Sequence, residues 1–294
     1  MTMEGLRKAM LGALDLHARF NDVKPSLAGK HGPAVLFARP EDYPTLKDRY
    51  STTLSTGTNV ARSCIHCHQI RESDRLVYRG AGKAFPESVL FPYPLPDVLG
   101  LRLDPKQRST IATVDAGSIA AKAGLKKGDA IESLQGQPLL STADLQWVLH
   151  NARNADSLKA EVLRNGKPNT VMLSLPEGWR RGNISWRPTT WDLRRMALGG
   201  VVFEELTDDQ RAALGLKAED LGLRAKHVGQ YGEHAAGKKA GFVKDDVILA
   251  FNGSSRRKTE TELIDDALQL PKGAKVIFKV RRGAETHEFA VPTQ

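Results

Sequence analysis

The chain has 294 residues, 40% of them hydrophobic and 26% charged, which is typical of globular proteins and predicts two or three domains. Its formal net charge of +9 comes from scattered basic pairs such as Arg180-Arg181 and Arg281-Arg282. Nucleic-acid binding typically uses a clustered basic stripe with exposed aromatic residues, and aromatic residues make up only 6% of this chain. A run of about 18 apolar residues is absent. The composition therefore argues against nucleic-acid binding and against a transmembrane segment.

The N-terminal segment, residues 1–30, is predicted to contain one amphipathic helix. Leu6, Met10 and Leu14 recur at helical spacing over residues 4–19, with charged side chains on other faces. The segment lacks the continuous apolar core of a signal peptide. One interpretation is that this helix ends a domain whose earlier part is missing, so that the N-terminus is truncated. The other is that the helix docks on the body of this chain.

Residues 31–96 contain a cysteine motif followed by a Pro-rich linker. Cys64 and Cys67, the only cysteines, are separated by two residues, and His68 follows directly. This C-x-x-C-H pattern is typical of c-type haem attachment, in which each thiol adds to a haem vinyl group and the histidine becomes the proximal iron ligand. We therefore predict haem c as a cofactor, with Cys64, Cys67 and His68 as its binding residues and His68 as the metal ligand.

Three other chemistries fit the same two cysteines. A C-x-x-C pair can act as a dithiol or disulfide in redox exchange, with the neighbouring histidines lowering the thiol pKa. The cysteines and one or two histidines can bind a metal ion. They can also be plain structural residues. Covalent haem is attached outside the cytoplasm, so the haem hypothesis predicts a periplasmic or otherwise extracytoplasmic location, although the chain shows no signal peptide.

From residue 97 onward the chain repeats itself. The matching stretches are 123–131 with 240–248, 135–136 with 252–253, and 163–166 with 280–283. Each copy also has one helix-like segment and ends in two β-rich segments joined by turn residues. The predicted domains are therefore 97–178 and 197–294. The linker between them, 179–196, carries three tryptophans, which favour packing on a domain over a free linker.

The stretch 117–129 reads G-S-I-A-A-K-A-G-L-K-K-G-D. It resembles the signature G-S-P-A-A-x-A-G-L-x-x-G-D of PDZ domains of the bacterial HtrA/Deg type, with Ile119 where proline is usual. In the second copy Asp245 replaces the glycine of the G-D pair. The resemblance implies an α+β fold with tandem PDZ-like domains, each a partly open β-barrel or sandwich with flanking helices. A small helical and loop-rich cysteine segment precedes them.

In this family a partner's chain end is added as a strand at a sheet edge facing the domain's helix, and a glycine-containing loop binds its carboxylate. The peptide-binding residues implied for the first copy are Leu99, Gly100, Leu101, Arg102, Leu103, Leu145 and Leu149. Those implied for the second copy are Leu198, Gly199, Gly200 and Val201. The implied partners are protein C-termini or extended peptide segments. The alternative that both glycine loops are simple turns remains open.

The two copies are expected to differ in affinity. Residues 204–214 are predicted to form an inserted helix capped by Thr207, and this insertion brings four carboxylates near the second loop. These are Glu204, Glu205, Asp208 and Asp209. Because they would repel a terminal carboxylate, we expect the first copy to bind free chain ends better.

HtrA/Deg proteins carry a serine protease domain, but this chain has no G-x-S-x-G motif and no serine resembling the protease nucleophile. Protease activity is therefore not expected, and no catalytic residue is assigned. The whole arrangement also resembles bacterial extracytoplasmic proteins in which a thioredoxin-like domain precedes a C-I-H-C-H-Q segment and two PDZ domains. The predicted function is an extracytoplasmic peptide- or protein-binding protein carrying haem c. The alternatives are a thiol–disulfide accessory protein whose PDZ domains dock clients, and a pure interaction scaffold.

Overall fold

The computed structural model describes residues 3–32, 34–47, 66–107, 109–187 and 189–294, with only the backbone of residues 66–68. The chain divides into two compact units. The first comprises Met1–Ala34 and Phe91–Gly182, and the second comprises Val35–Leu90 and Asn183–Gln294. The first repeat therefore lies in the first unit, and the described residues between Val35 and Leu90 lie in the same unit as the second repeat.

The described part of the chain contains α-helices, short 3-10 turns and β-strands. The α-helices are α1 (Met3–Ala18), α2 (Phe20–Val23), α3 (His66–Gly80), α4 (Glu87–Leu90), α5 (Ile119–Lys122), α6 (Thr142–Asn151), α7 (Thr190–Leu198), α8 (Asp208–Ala213), α9 (Ala236–Ala240) and α10 (Glu260–Gln269). The 3-10 turns are Lys24–Leu27, Pro40–Asp42, Pro96–Leu99 and Gly232–Ala235. Within these described ranges, no helix is both long enough and apolar enough to cross a bilayer.

The strands form three antiparallel sheets. They are β1 (Leu101–Leu103), β2 (Ile111–Val114), β3 (Ala130–Leu134), β4 (Gln137–Pro138), β5 (Ser157–Arg164), β6 (Lys167–Ser174), β7 (Val201–Glu205), β8 (Leu223–Val228), β9 (Val247–Phe251), β10 (Lys275–Arg282) and β11 (Glu285–Pro292). The first repeat has the pair β1-β2 and the sheet β4-β3-β5-β6, and the second has the sheet β11-β10-β9-β8-β7. All three sheets are open, so the expected mixture of helix and sheet is present and the described strands form no closed barrel.

In the first repeat, α6 packs on the sheet through one apolar face. Leu158, Ala160 and Val162 alternate with more exposed residues along β5, so one face of the sheet is buried. Ser141 begins α6 as its N-cap, and Asp144 accepts from the Ser141 N–H to complete a capping box. This local pairing starts α6, whose Leu145 and Leu149 share one hydrophobic core with these β5 residues.

The second repeat follows the same order of elements: a strand, a second strand, a short helix, a strand, a long helix and a final hairpin. The predicted inserted helix is shorter than expected: Glu204 and Glu205 belong to β7, and only α8 is helical. The Thr207 hydroxyl caps α8 by accepting from Gln210 N–H, as predicted. A cluster of aromatic rings fills the core around Phe242, whose ring centroid lies 5.2 Å from that of Phe278 and 5.9 Å from that of Phe203. The same sequence order thus forms the same local elements in both halves.

The aspartate of the G-D signature has a structural role in both repeats. Asp129 is only 1% exposed and accepts two hydrogen bonds from Arg164, each 2.8 Å long. The Arg164 bonds hold the pKa of the Asp129 carboxyl below its ordinary value. Asp246 pairs in the same way with Arg282, at 2.7 and 2.8 Å. The signature therefore ties the loop before β3 or β9 to the C-terminal hairpin.

Two buried arginines of α3 donate to carbonyl groups elsewhere in the second unit. Arg75 donates to the Thr189 carbonyl at 2.8 Å, and burial lowers its pKa to about 10. Arg79 donates to the Leu270 carbonyl, just after the end of α10, at 2.6 Å. Because a lost bond to a buried charge is costly, these contacts fix α3 within this unit.

The N-terminal segment divides into an exposed helix and a docked tail. No described residue of α1 is buried. Farther along, Gln137 donates to the Ser26 carbonyl at 2.6 Å, and Lys30 forms an ion pair with Asp144 of α6. The short segment that follows α2, around Ser26 and Lys30, therefore packs on the first repeat.

Candidate functional site

The outer edge of β1 is the first candidate binding edge. Leu101 lies opposite Val114 of β2, and Asp115 N–H donates to the Gly100 carbonyl at 2.8 Å. Because hydrogen bonds alternate along an antiparallel pair, the peptide groups of Leu101 point away from β2. Among the described strands, β1 is hydrogen-bonded to β2 alone. This edge therefore presents backbone groups to which a further strand can be added.

The glycine loop before β1 is needed for a close approach within the protein. Gly100 has a φ of 73°, in the left-handed region, and its N–H donates to the Asp97 carbonyl at 2.8 Å. A Cβ atom at Gly100 would lie 2.1 Å from Cβ of Ser118, the N-cap of α5. Glycine is thus required whether or not a ligand binds, and a substitution here would disturb the fold as well as any carboxylate site.

The predicted groove residues of the first repeat separate into core and edge. Leu99, Leu101, Leu145 and Leu149 are at most 1% exposed and belong to the hydrophobic core. Arg102 is exposed and Leu103 is half-buried. The described edge therefore offers its backbone and these two side chains, while the predicted helix leucines support it from inside.

An unpredicted cluster lies on another part of α6. The Tyr93 ring stacks on His150 with centroids 4.0 Å apart, and the Tyr93 N–H donates to His150 Nδ1 at 3.3 Å. Gln146 donates to the Tyr93 carbonyl at 3.0 Å. Tyr93 also has a positive φ, of 47°. The chain before the glycine loop is thereby fixed along the helix.

The outer edge of β7 is the second candidate, and it is not open. Gly229 N–H donates to the Gly200 carbonyl at 3.0 Å, and beyond an irregularity after Val202 the Phe203 N–H points outward. That N–H donates to Oε1 of Glu260, the first residue of α10, at 2.8 Å. A side chain of the protein therefore takes the donor that an added strand would use.

Glu260 is held in a buried network. Its carboxylate accepts from Arg194 Nε at 2.8 Å and Nη2 at 2.6 Å, and from the Ser185 hydroxyl at 2.5 Å. The side chains of Arg194 and Glu260 are 8% and 4% exposed. Arg194 also donates to the Ser185 carbonyl at 2.9 Å. Neither residue was predicted as functional, because the pairing joins positions 66 residues apart and has no local signal.

The second glycine loop is also saturated from within the protein. Leu198 and Val201 are fully buried. The N–H groups of both glycines donate to the Arg194 carbonyl, and Gly237 N–H donates to the Gly199 carbonyl at 2.9 Å. A Cβ atom at Gly200 would lie 2.1 Å from the His234 carbonyl oxygen. This predicted loop is therefore a closed turn that shares its acceptor with the Glu260 network.

The predicted haem site lies outside the described residues. Cys64 falls in the range 48–65, and the side chains of Cys67 and His68 are not described. The backbone of Cys67 and His68 lies in the first turn of α3. The haem, dithiol and metal hypotheses therefore stay predictions from the motif.

Comparison with known proteins identifies one part of the chain. Residues 97–175 match the family model for the PDZ domain. A protein described as "Probable periplasmic serine endoprotease DegP-like", from Pseudomonas savastanoi pv. phaseolicola, is 32% identical over 188 residues, which cover 61% of this chain and 36% of that protein. The periplasmic pH-dependent serine endoprotease DegQ of Escherichia coli K12 is 31% identical over 187 residues, covering 61% and 37%.

A solved structure, the HtrA-type protease AlgW with decapeptide, covers 37% of this chain and 34% of its own at 20% identity, with a TM-score of 0.25. The chain spans about a third of the length of the curated relatives that it matches. The comparisons thus show a PDZ domain in the first repeat and a similarity to DegP- and DegQ-type proteins.

Proposed function

We propose that this chain is a protein-interaction protein that captures C-termini or extended peptide segments by strand addition at β1. The observation that carries this proposal is the outward-facing backbone of Leu101 in a domain that matches the PDZ model. Strand addition derives its affinity from main-chain hydrogen bonds and its specificity from alternate side-chain pockets. The exposed Arg102 and half-buried Leu103 would contact such a partner.

The proposed location is extracytoplasmic, because the named relatives are described as periplasmic. Their protease activity is not carried over, since the matched region is about a third of their length and this sequence offers no protease nucleophile. Binding without catalysis is the proposed role.

We further propose that residues 197–294 form a second PDZ-like domain. The relatives align with 61% of the chain, which is more than the PDZ match over residues 97–175. The order of elements in the second repeat supports this, as does the Asp246–Arg282 pair that matches Asp129–Arg164.

Peptide capture can be tested on the full chain with a library of short peptides that end in a free carboxylate. Leu103 lies opposite Ile111, whose own bonds run to the chain near β3, so the Leu103 N–H faces outward. Leu103→Pro removes this donor on an edge strand where proline is tolerated. Leu103→Ala is the matched control, which shortens the side chain but keeps the donor.

We expect Leu103→Pro to weaken binding of the selected peptides by about tenfold relative to Leu103→Ala, the equivalent of one lost hydrogen bond. Amidation of the peptide C-terminus distinguishes chain-end capture from capture of an internal segment, since it removes a charged acceptor. If no library member binds the full chain, or if the two variants bind equally, strand addition at β1 is wrong.

The motif supports a second proposal, covalent haem c held by Cys64 and Cys67, with His68 as an iron ligand. Bound haem would supply a redox-active iron. Periplasmic expression with haem-maturation machinery should give a red protein whose haem stain persists after denaturation. Replacing both cysteines with alanine should abolish the stain. A colourless product with two titratable thiols would instead favour the dithiol hypothesis.

A further inference from the structure

We propose that the second repeat is closed to strand addition by an internal ligand, the Glu260 carboxylate fixed by Arg194. This inference rests on the proposed function, because it states which of two related edges takes a partner. It predicts that all peptide capture by this chain takes place at β1. The second repeat would then contribute a fixed structural domain.

The geometry at β7 is that of an occupied edge. An added strand would place a backbone carbonyl at the outward N–H of Phe203, and the Glu260 carboxylate oxygen already lies 2.8 Å from that nitrogen. Glu260 begins α10, the helix that would form the opposite wall of a groove. The helix and the strand are thus joined directly at the position where a partner would have to enter.

Displacing this carboxylate would also break its pairing with Arg194. Both side chains are more than nine-tenths buried, and their two hydrogen bonds of 2.6 and 2.8 Å form a bidentate pair. A partner strand would have to hydrate both charges or leave them unpaired in the protein interior. Either outcome is unfavourable, so the internal ligand has a large advantage over an external peptide.

The chain before α7 holds the Arg194–Glu260 pair in place. Ile184 is 4% exposed, and its N–H donates to the Thr261 hydroxyl at 3.1 Å. Its carbonyl accepts from the Thr190 hydroxyl at 2.5 Å, and the adjacent Ser185 binds both members of the ion pair. The segment is therefore anchored to α7 and α10 by side chains on both sides of the closed position.

The first repeat has no carboxylate at the equivalent position. The first residue of α6 is Thr142, where α10 has Glu260. A threonine at that position carries no charge and is too short to supply the same carboxylate bridge. The glutamate that closes the edge of β7 thus has no charged counterpart at the start of α6.

Hydrogen exchange in the full chain, without any ligand, tests the closure directly. The Phe203 amide should exchange on the order of 100-fold more slowly than the outward amide of Leu103, because its acceptor is buried. Comparable exchange rates would overturn the proposal. This measurement does not depend on whether any peptide binds, so its failure is distinguishable from failure of the proposed function.

A second test opens the edge of β7 by substitution. The double variant Arg194→Leu with Glu260→Thr removes both charges together and introduces the residue type found at Thr142. In a Leu103→Pro background, where binding at β1 is weakened, this variant should bind library peptides at least about tenfold more tightly than the Leu103→Pro parent. Unchanged binding by a folded double variant would show that the ion pair does not close the edge.

Discussion

The two repeats share one order of elements but differ at the outer edge of their first strands. In the first repeat, β1 pairs with β2 alone among the described strands, and the peptide groups of Leu101 point away from β2. In the second, the corresponding donor of Phe203 is bonded to Glu260. A repeated fold therefore does not imply a repeated site, because one charged residue at a helix start can occupy the edge.

The structure gives another reason to expect weaker peptide binding by the second repeat. The sequence predicted that carboxylates after the second loop would repel a chain end. In the structure, Glu204 accepts from Arg224 and pairs with Lys226, and these bonds lower its pKa below the ordinary value. Glu205 pairs with Arg257 at 3.0 Å. Two of the four charges are compensated, so occupancy of the edge gives a stronger reason to expect weak binding there.

The largest expected effect on stability is in the second repeat. Arg194→Met leaves the Glu260 carboxylate buried without its cation and should destabilise this repeat by about 3–5 kcal/mol. The matched control is Arg257→Met, which removes the exposed pair with Glu205 and should cost less than about 1 kcal/mol. Chemical unfolding, with hydrogen exchange as the readout in each repeat, measures the loss of stability in both variants. Equal costs for the two variants would contradict the buried pairing.

The next effect distinguishes the two glycine loops. Gly100→Ala and Gly200→Ala should each cost about 3 kcal/mol, since both combine a positive φ with a Cβ contact of 2.1 Å. Adding Ser118→Gly should recover part of the loss at Gly100, because the clashing atom is a side-chain carbon. At Gly200 the clashing atom is the His234 carbonyl oxygen, so no side-chain change can relieve it. Thermal unfolding of the single and double variants tests this contrast.

Gly124→Ala is the control for these loops. Gly124 also has a positive φ, but a Cβ atom there would meet open space. Its cost should be limited to about 1–2 kcal/mol from the backbone conformation. If Gly124→Ala is as damaging as Gly100→Ala, the close contact is not the cause.

A smaller, pH-dependent effect is expected in the first repeat. Since the folded pKa of Asp129 is lowered by Arg164, the carboxylate stabilises the fold above its unfolded pKa, and this stability is lost as pH falls through the folded value. Asp129→Asn should therefore cost about 1–3 kcal/mol at neutral pH and progressively less in acid. Urea unfolding at several pH values measures the trend, and exposed Glu132→Gln is the control. A cost independent of pH would exclude this role.

The smallest effect concerns the departure from the G-D signature. Asp245 has a φ of 71° where Gly128 has 88°. Asp245→Gly should stabilise the second repeat by about 0.5–1 kcal/mol, and Gly128→Asp should destabilise the first by a similar amount. Melting temperatures of the two reciprocal variants test the pair. Opposite signs are expected, and a loss of stability in both would show that Asp245 has acquired another contact.

Local patterns in the sequence determined much of the fold. The signature over residues 117–129 predicted the first repeat, and the cap at Thr207 predicted the inserted helix α8. The helix-like segment expected in each repeat is present as α6 and α10. The starts of α6 and α8 are encoded by hydrogen bonds between residues three apart, such as the one from Ser141 to Asp144, so the chain reveals them without its tertiary structure.

Only the tertiary structure decided which edge is open and where the segment 66–80 packs. The Glu260–Arg194 pair joins residues 66 apart, and the Arg79 bond to the Leu270 carbonyl joins residues 191 apart. In the sequence these arginines cannot be distinguished from exposed ones, because burial and pairing depend on how distant elements pack together. The chain thus specified two similar repeats, and long-range packing of buried charges made them different.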